Sequence, residues 1–240
     1  MKKVAFVTAS TNGIGKSIVK KLLENNYVVY ANGRDKNSLN FKGVKFVVGD
    51  MTQESNINNA LKKIMTKEKR VDLVVANLGS GKSIAGEDVS IDEYRRVFDI
   101  NFFGAVSLAT KAIEFLKKTN GNIVFISSIA GCEELSAPIA YTTAKTALLS
   151  FSKSLSNQVA KYNIRVNSIS PGNVMFKGST WDNKVKDNKE SVDAYIKNNV
   201  PLNKFAKPKD IAKAVLFLEK SEFMTGSNIV VDGGQLKKII

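Results

Sequence analysis

Tyr141 and Lys145 stand four residues apart, a spacing that puts two side chains on one face of a helix and leans them together. An ammonium beside a phenol favours the phenolate. The pair is therefore expected to lower the Tyr141 pKa towards neutrality, where a general acid/base works best. The chain contains no histidine, so Ser-His-Asp and Cys-His hydrolase chemistry and imidazole metal sites are excluded. Upstream, Ile126-Ser127-Ser128-Ile129-Ala130-Gly131 ends an apolar run and offers Ser128 as a hydroxyl partner. A Tyr-x-x-x-Lys spacing also occurs on ordinary helix surfaces, and the surrounding segments decide between the two readings.

A second group of residues has the makings of a dinucleotide site. Thr8-Ala9-Ser10-Thr11-Asn12-Gly13-Ile14-Gly15 follows an apolar run and opens a helical pattern. Gly13 and Gly15 remove the Cβ atoms that would block a pyrophosphate, and the free N–H groups of a helix start attract its charge. About twenty residues further on, an NAD-selective site carries Asp or Glu for the ribose hydroxyls. Gly33 and Arg34 stand there instead. A guanidinium fork pairs with a 2′-phosphate that a carboxylate would repel, so NADP(H) is preferred. NAD(H) is the other possibility, because Asp35 follows directly. Gly79-Ser80-Gly81-Lys82-Ser83 imitates part of a P-loop, but Ala76 stands where that motif needs its first glycine.

These residues need a scaffold, and the hydrophobic pattern supplies one. Short apolar runs predict strands over Lys3 to Thr8, Tyr27 to Asn32, Lys45 to Gly49, Leu73 to Ala76, Gly121 to Ser127, Arg165 to Ser170 and Asn228 to Asp232. Helical periods between them predict helices over Ile14 to Asn25, Glu54 to Thr66, Ile91 to Lys118, Ala140 to Tyr162 and Pro208 to Glu219. The alternation implies an α/β fold: a doubly wound, Rossmann-like sheet of seven parallel strands with helices on both faces. Ligands then bind beyond the carboxyl ends of the strands, at the switch point. One segment, 172–200, is too long and polar for a simple connection. With Phe176 and Trp181 in it, it reads as a substrate lid.

Together these motifs resemble the short-chain dehydrogenase/reductase family over nearly the whole chain. Thr8-x-x-x-x-Gly13-Ile14-Gly15 is similar to its glycine fingerprint, with Ala9 in place of the usual first glycine. Asp50-Met51-Thr52 and Ala76-Asn77-Leu78-Gly79 resemble its adenine-side and cofactor-wall loops, with Leu78 where alanine is usual. The resemblance implies hydride transfer between nicotinamide and a carbon. Ser128 would bind the substrate oxygen, Tyr141 exchange the proton, and Lys145 hold the nicotinamide ribose, while Asn101 completes a relay to solvent. An asparagine is a poor mid-helix residue, which also sets Asn101 apart. Pro171, Gly172 and Val174 would line the nicotinamide face. Phe176 replaces the threonine often found there, which leaves anchoring to backbone groups or to Ser179 and Thr180. The implied cofactor contacts are thus Ser10, Asn12, Gly13, Ile14, Gly15, Arg34, Asp50, Met51, Asn77 and Gly79, with Tyr141, Lys145, Pro171, Gly172 and Val174.

At 240 residues the chain can bury one large core, and a single domain over 1–240 is expected. Cys132 is the only cysteine, so no intrachain disulfide or cysteine zinc cluster can form, and a cytoplasmic setting fits best. No run of apolar residues is long enough to span a bilayer. The N-terminal Val-Ala-Phe-Val run is read as a strand and not as a leader. The net charge of +14 comes from scattered lysines without aromatic interleaving, which suits a solvated surface that steers an anionic cofactor or substrate better than a nucleic-acid interface. The expected partner is a small carbonyl or alcohol, either a sugar or sugar-nucleotide or a 3-oxoacyl thioester. By family analogy the chain forms a homotetramer or dimer. A non-catalytic dinucleotide sensor or nucleic-acid-binding protein on the same fold is the alternative.

Overall fold

The computed structural model describes residues 1–35 and 42–238. Seven strands form one sheet: β1 (Val4–Val7), β2 (Val28–Gly33), β3 (Val44–Val48), β4 (Leu73–Ala76), β5 (Asn122–Ile126), β6 (Arg165–Pro171) and β7 (Asn228–Val231). All pairings are parallel, in the order β3-β2-β1-β4-β5-β6-β7. The order reverses between β1 and β4, the switch point of a doubly wound sheet. The expected strand ends agree to within a residue or two.

The helices are α1 (Gly13–Glu24), α2 (Glu54–Glu68), α3 (Ile91–Phe98), α4 (Gly104–Leu116), α5 (Ile139–Val159), α6 (Thr180–Asp187), α7 (Lys189–Asn199) and α8 (Pro208–Lys220). Along β1, alternate side chains serve opposite cores. Val4 and Phe6 pack with α2, α4 and α5, whereas Ala5 and Val7 pack with α1 and α8. Because both faces are covered, the strands read as unbroken apolar runs instead of alternating ones. No described helix is long and apolar enough to cross a membrane.

Two departures from the expected pattern bear on function. The helix expected over Ile91 to Lys118 is interrupted by a π-turn at Asp99–Phe103 that separates α3 from α4 and carries Asn101. A wider turn re-aims a side chain at a functional position. The segment 172–200 is also more ordered than its polar composition suggests. It holds α6 and α7, capped by Ser179 and Asn188, around a small core of Val192, Val200 and Phe205. The Trp181 ring lies 4.7 Å from Tyr195 and 4.6 Å from Phe205.

Candidate active site

The turn after β1 is built to bring backbone close to a ligand. Ala9 adopts φ 47 and Gly13 φ 51, both left-handed. Asn12 caps α1 by accepting the Gly13 N–H at 2.7 Å. The following N–H groups, those of Ile14 and Gly15, are what a pyrophosphate would meet. At Gly15 a Cβ would sit 2.5 Å from the Ala9 carbonyl oxygen, so only glycine lets the helix start press on the turn. Ser10 is turned inward. Its hydroxyl donates to Val7 O at 2.9 Å and accepts the Asn32 N–H at 2.8 Å, fastening the turn to β2. Asn77 does the same from β4, donating to the carbonyl oxygens of Thr8 and Ala9.

Two adjoining cavities cross the switch point. One, of about 300 Å³, is lined by Thr11, Asn32, Gly33, Arg34, Asp50 and Met51 among others. The second, of about 240 Å³, is lined by Asn12, Ile14, Asn77, Tyr141, Lys145 and Phe176 among others. They share Ala9, Gly79 and Ser80. Of the residues expected at the adenosine phosphate, Arg34, Asp50 and Met51 line the first cavity; of those expected at the reacting end, Tyr141 and Lys145 line the second together with Asn12 and Ile14 of the glycine turn, whereas Ser128 and Asn101 line neither. At Gly33 a Cβ would meet the Thr11 methyl group at 2.2 Å. Arg34 is exposed at the rim. Asp50 is held by its own loop, accepting from Thr52 N at 2.9 Å and Thr52 Oγ1 at 2.8 Å.

At the reacting end, Tyr141 and Lys145 share one face of α5, with the Lys145 Nζ 5.9 Å from the Tyr141 ring centroid. Lys145 is buried and donates to Ile126 O at 3.1 Å. Burial pushes its ammonium down to about 8. Tyr141 departs from the sequence expectation. Burial pushes its phenol up, and a hydrogen bond with Ser128 pulls it back. Desolvation of the phenol is the larger influence, and the Lys145 Nζ is directed to the Ile126 carbonyl instead of the phenol oxygen. Asn101 lies behind this pair, fully buried. Its Oδ1 accepts from Ser80 N at 3.0 Å, and its Nδ2 donates to Ser80 O at 3.1 Å and Val97 O at 3.0 Å. Gly79 closes the gap: a Cβ there would lie 3.0 Å from Lys145 Nζ and 3.1 Å from Asn101 Oδ1.

Pro171, Gly172 and Val174 line neither cavity. Gly172 packs on Asp232 and Gln235, and Val174 bridges to Ala206. Phe176, expected beside the substrate, lays its ring against Gly13 and so faces the glycine turn as well as the reacting end. Sequence reasoning passed over Ala9, Thr11, Ser80, Ile126 and Ser127. Ser80 and Gly81 carried a signal, the glycine-rich run after β4, but it pointed to a different chemistry.

Two joined cavities across the switch point of a doubly wound sheet, one of them lined by Tyr141 and Lys145, are the arrangement of a nicotinamide-type oxidoreductase. The chain belongs to the short-chain dehydrogenase/reductase family, and the family model described as enoyl-(acyl carrier protein) reductase matches residues 8–235. It is 31% identical over 243 residues to carbonyl reductase family member 4 of Xenopus tropicalis, covering 98% of each chain. It is 28% identical over 241 residues to the L-fucose dehydrogenase of Mus musculus, covering 97% of this chain and 88% of that one. The solved L-sorbose reductase of Gluconobacter frateurii, complexed with NADPH and L-sorbose, superposes with a TM-score of 0.92 at 26% identity, covering 99% of this chain and 98% of that one.

Proposed function

We propose that this protein uses NADPH to reduce a ketone to a secondary alcohol, with Tyr141 as the proton donor. The observation that carries this reading is that Tyr141 and Lys145 open onto the same cavity as Asn12 and Ile14 of the glycine turn. The cofactor fits the chain's own residues: two joined cavities, a helix start with unspent N–H groups, and glycines whose Cβ atoms would fill the cleft. When bound, it supplies the hydride. The protein does the rest. Ser128 and Tyr141 present donors to the substrate oxygen, where charge develops as the carbonyl is reduced. A phenol raised by burial is protonated at neutral pH and so holds the proton that the substrate oxygen needs. Lys145, mostly protonated at pH 7, would hold the nicotinamide ribose, and Asn101 holds the Ser80 loop that walls the site.

Gly33 and Arg34 favour the 2′-phosphate, and the NADPH complex of the sorbose enzyme supports the same preference. Sugar-active relatives favour a sugar or sugar-nucleotide carbonyl, while relatives named as 3-oxoacyl-[acyl-carrier-protein] and acetoacetyl-CoA reductases keep a 3-oxoacyl thioester as the second candidate. The segment 172–200, folded around Trp181, acts as the substrate lid of a single catalytic domain. Exposed Phe103 and Ile139 near the starts of α4 and α5, with exposed Phe217 and Phe223, support a homo-oligomer, either a tetramer or a dimer. A cytoplasmic setting accords with the single cysteine. The test is NADPH and NADH oxidation over a panel of ketoses, sugar nucleotides and 3-oxoacyl thioesters. Tyr141→Phe is expected to lose roughly 100-fold or more in kcat, the scale of general acid/base catalysis. Full activity in that variant rejects the reading.

A further inference from the structure

The turn that carries Ser128 and the helix that carries Tyr141 meet around a single residue, Lys145. Its Nζ donates to Ile126 O at 3.1 Å, on one side of Ser128. Its backbone carbonyl oxygen accepts from the Ser127 hydroxyl, also at 3.1 Å. On the other side of Ser128, the Gly131 Cα lies so close that a Cβ would sit 2.7 Å from the Lys145 carbonyl carbon and 2.9 Å from its oxygen. The Thr146 hydroxyl, one residue along α5, donates to Gly131 O at 3.1 Å. Ser128 is thus held at both ends of a short turn against the helix whose preceding turn bears Tyr141.

We infer that Gly131, seconded by Ser127, is a positioning residue that sets the separation between the Ser128 hydroxyl and the Tyr141 phenol. The atoms a Cβ would strike are backbone atoms of α5, which cannot rotate away as a side chain could. Adding a methyl group at 131 therefore lifts the serine turn off the helix by about an ångström. A misplacement of that size costs roughly 100-fold in rate when it falls on a reacting group. The φ of Gly131 is not left-handed, so an alanine there meets a steric conflict and not a backbone one. The inference rests on the proposed function, because it treats Ser128 and Tyr141 as the proton-handling pair.

The test compares Gly131→Ala, Ser127→Ala and Ser127→Thr in the full chain, with the melting temperature checking that each folds. Gly131→Ala is expected to lose roughly 10- to 100-fold in kcat and to leave the Kd for NADPH within about two-fold. Ser127→Ala should lose less, and Ser127→Thr, which keeps the hydroxyl, should recover most of that loss. A second readout needs no turnover: the tyrosinate absorbance titration of each variant, minus that of the same variant carrying Tyr141→Phe, isolates Tyr141. Losing the Ser128 hydrogen bond removes the influence that lowers this phenol, so its midpoint should move upward in Gly131→Ala. An unmoved midpoint overturns the inference whatever the enzyme turns over. Equal activity of wild type and Tyr141→Phe points instead to failure of the functional reading.

Discussion

The outer edge of the Phe176 ring lies so close to Gly13 that a Cβ on the glycine would sit 2.5 Å from the ring's outermost carbon. The contact joins the start of the proposed lid to the turn that receives a pyrophosphate, and Asn12 Nδ2 reinforces it by donating to Lys177 O at 3.4 Å. Gly13→Ala should therefore fail twice, through the strained φ of 51 and through the clash with the ring. A stability loss of about 1–2 kcal/mol comes from the first, and a loss of NADPH affinity of about tenfold, some 1.4 kcal/mol, from the second. Removing the ring with Phe176→Ala in the same chain should return part of the affinity. A double-mutant cycle by calorimetry checks this, and strictly additive effects would show that the two residues are not coupled.

Ala9 presents the opposite case, a side chain where the backbone prefers none. Its φ of 47 costs an L-residue about 1–2 kcal/mol, while a glycine there loses about 0.4–1 kcal/mol through greater freedom of the unfolded chain. Ala9→Gly should then stabilise the protein by up to about 1 kcal/mol. Urea denaturation measures it, and a clear destabilisation would show that the methyl group, which lines both cavities, packs better than the backbone suffers.

Much of this site was legible because its signals are local. A glycine pair after an apolar run, and Tyr141 four residues from Lys145, need only helix and strand geometry to be read. The parallel sheet followed from apolar runs that are buried on both faces. What escaped was set by contacts between distant segments. The π-turn at Asn101 exists because that side chain is occupied by Val97 O and by the Ser80 backbone twenty-one residues away, which no helical period encodes. Spacing alone does not mark α6 and α7 within the polar segment 172–200, because Val185, Val192 and Ile196 are sparse among charges, and their burial depends on Phe205 further along. The direction of the Tyr141 shift was misjudged for the same reason. Spacing reveals a neighbouring charge, but burial is a property of the whole fold.

Arg34 stands at the end of β2 beside Gly33 and Asn32, and among the described residues that line this cavity the one carboxylate is Asp50, whose Oδ1 is engaged by Thr52. Arg34→Asp replaces a donor fork with an acceptor that suits two ribose hydroxyls and repels a phosphate. The ratio of kcat/KM for NADPH over NADH should fall by roughly 100-fold, the scale of losing a charge-assisted hydrogen bond of about 1.5–3 kcal/mol. Thr11, which packs on Gly33 in the same cavity, should retain some NADPH binding. An unchanged ratio would remove Arg34 from the cofactor site.

Lys145 gives a pH-dependent prediction whose sign runs against the usual one for a paired lysine. Burial holds its folded-state pKa at about 8, below the value of about 10.4 for a free lysine. Between those two values the unfolded chain binds more protons than the folded one, so stability rises with pH across that window. Below pH 8 both states are charged, and the folded protein bears the whole cost of a buried ammonium, on the order of 3 kcal/mol. Lys145→Met removes the charge and keeps most of the volume, but leaves Ile126 O without its donor at a cost of about 1–3 kcal/mol. The variant should be inactive yet as stable as wild type at pH 7, or more so by on the order of 1 kcal/mol. Above pH 8 wild type should gain on it steadily until about pH 10. Urea denaturation of both proteins at pH 7, 8.5 and 10 measures the difference, and one that stays constant with pH would mean that the lysine titrates as a solvated side chain and not as the buried partner of Tyr141.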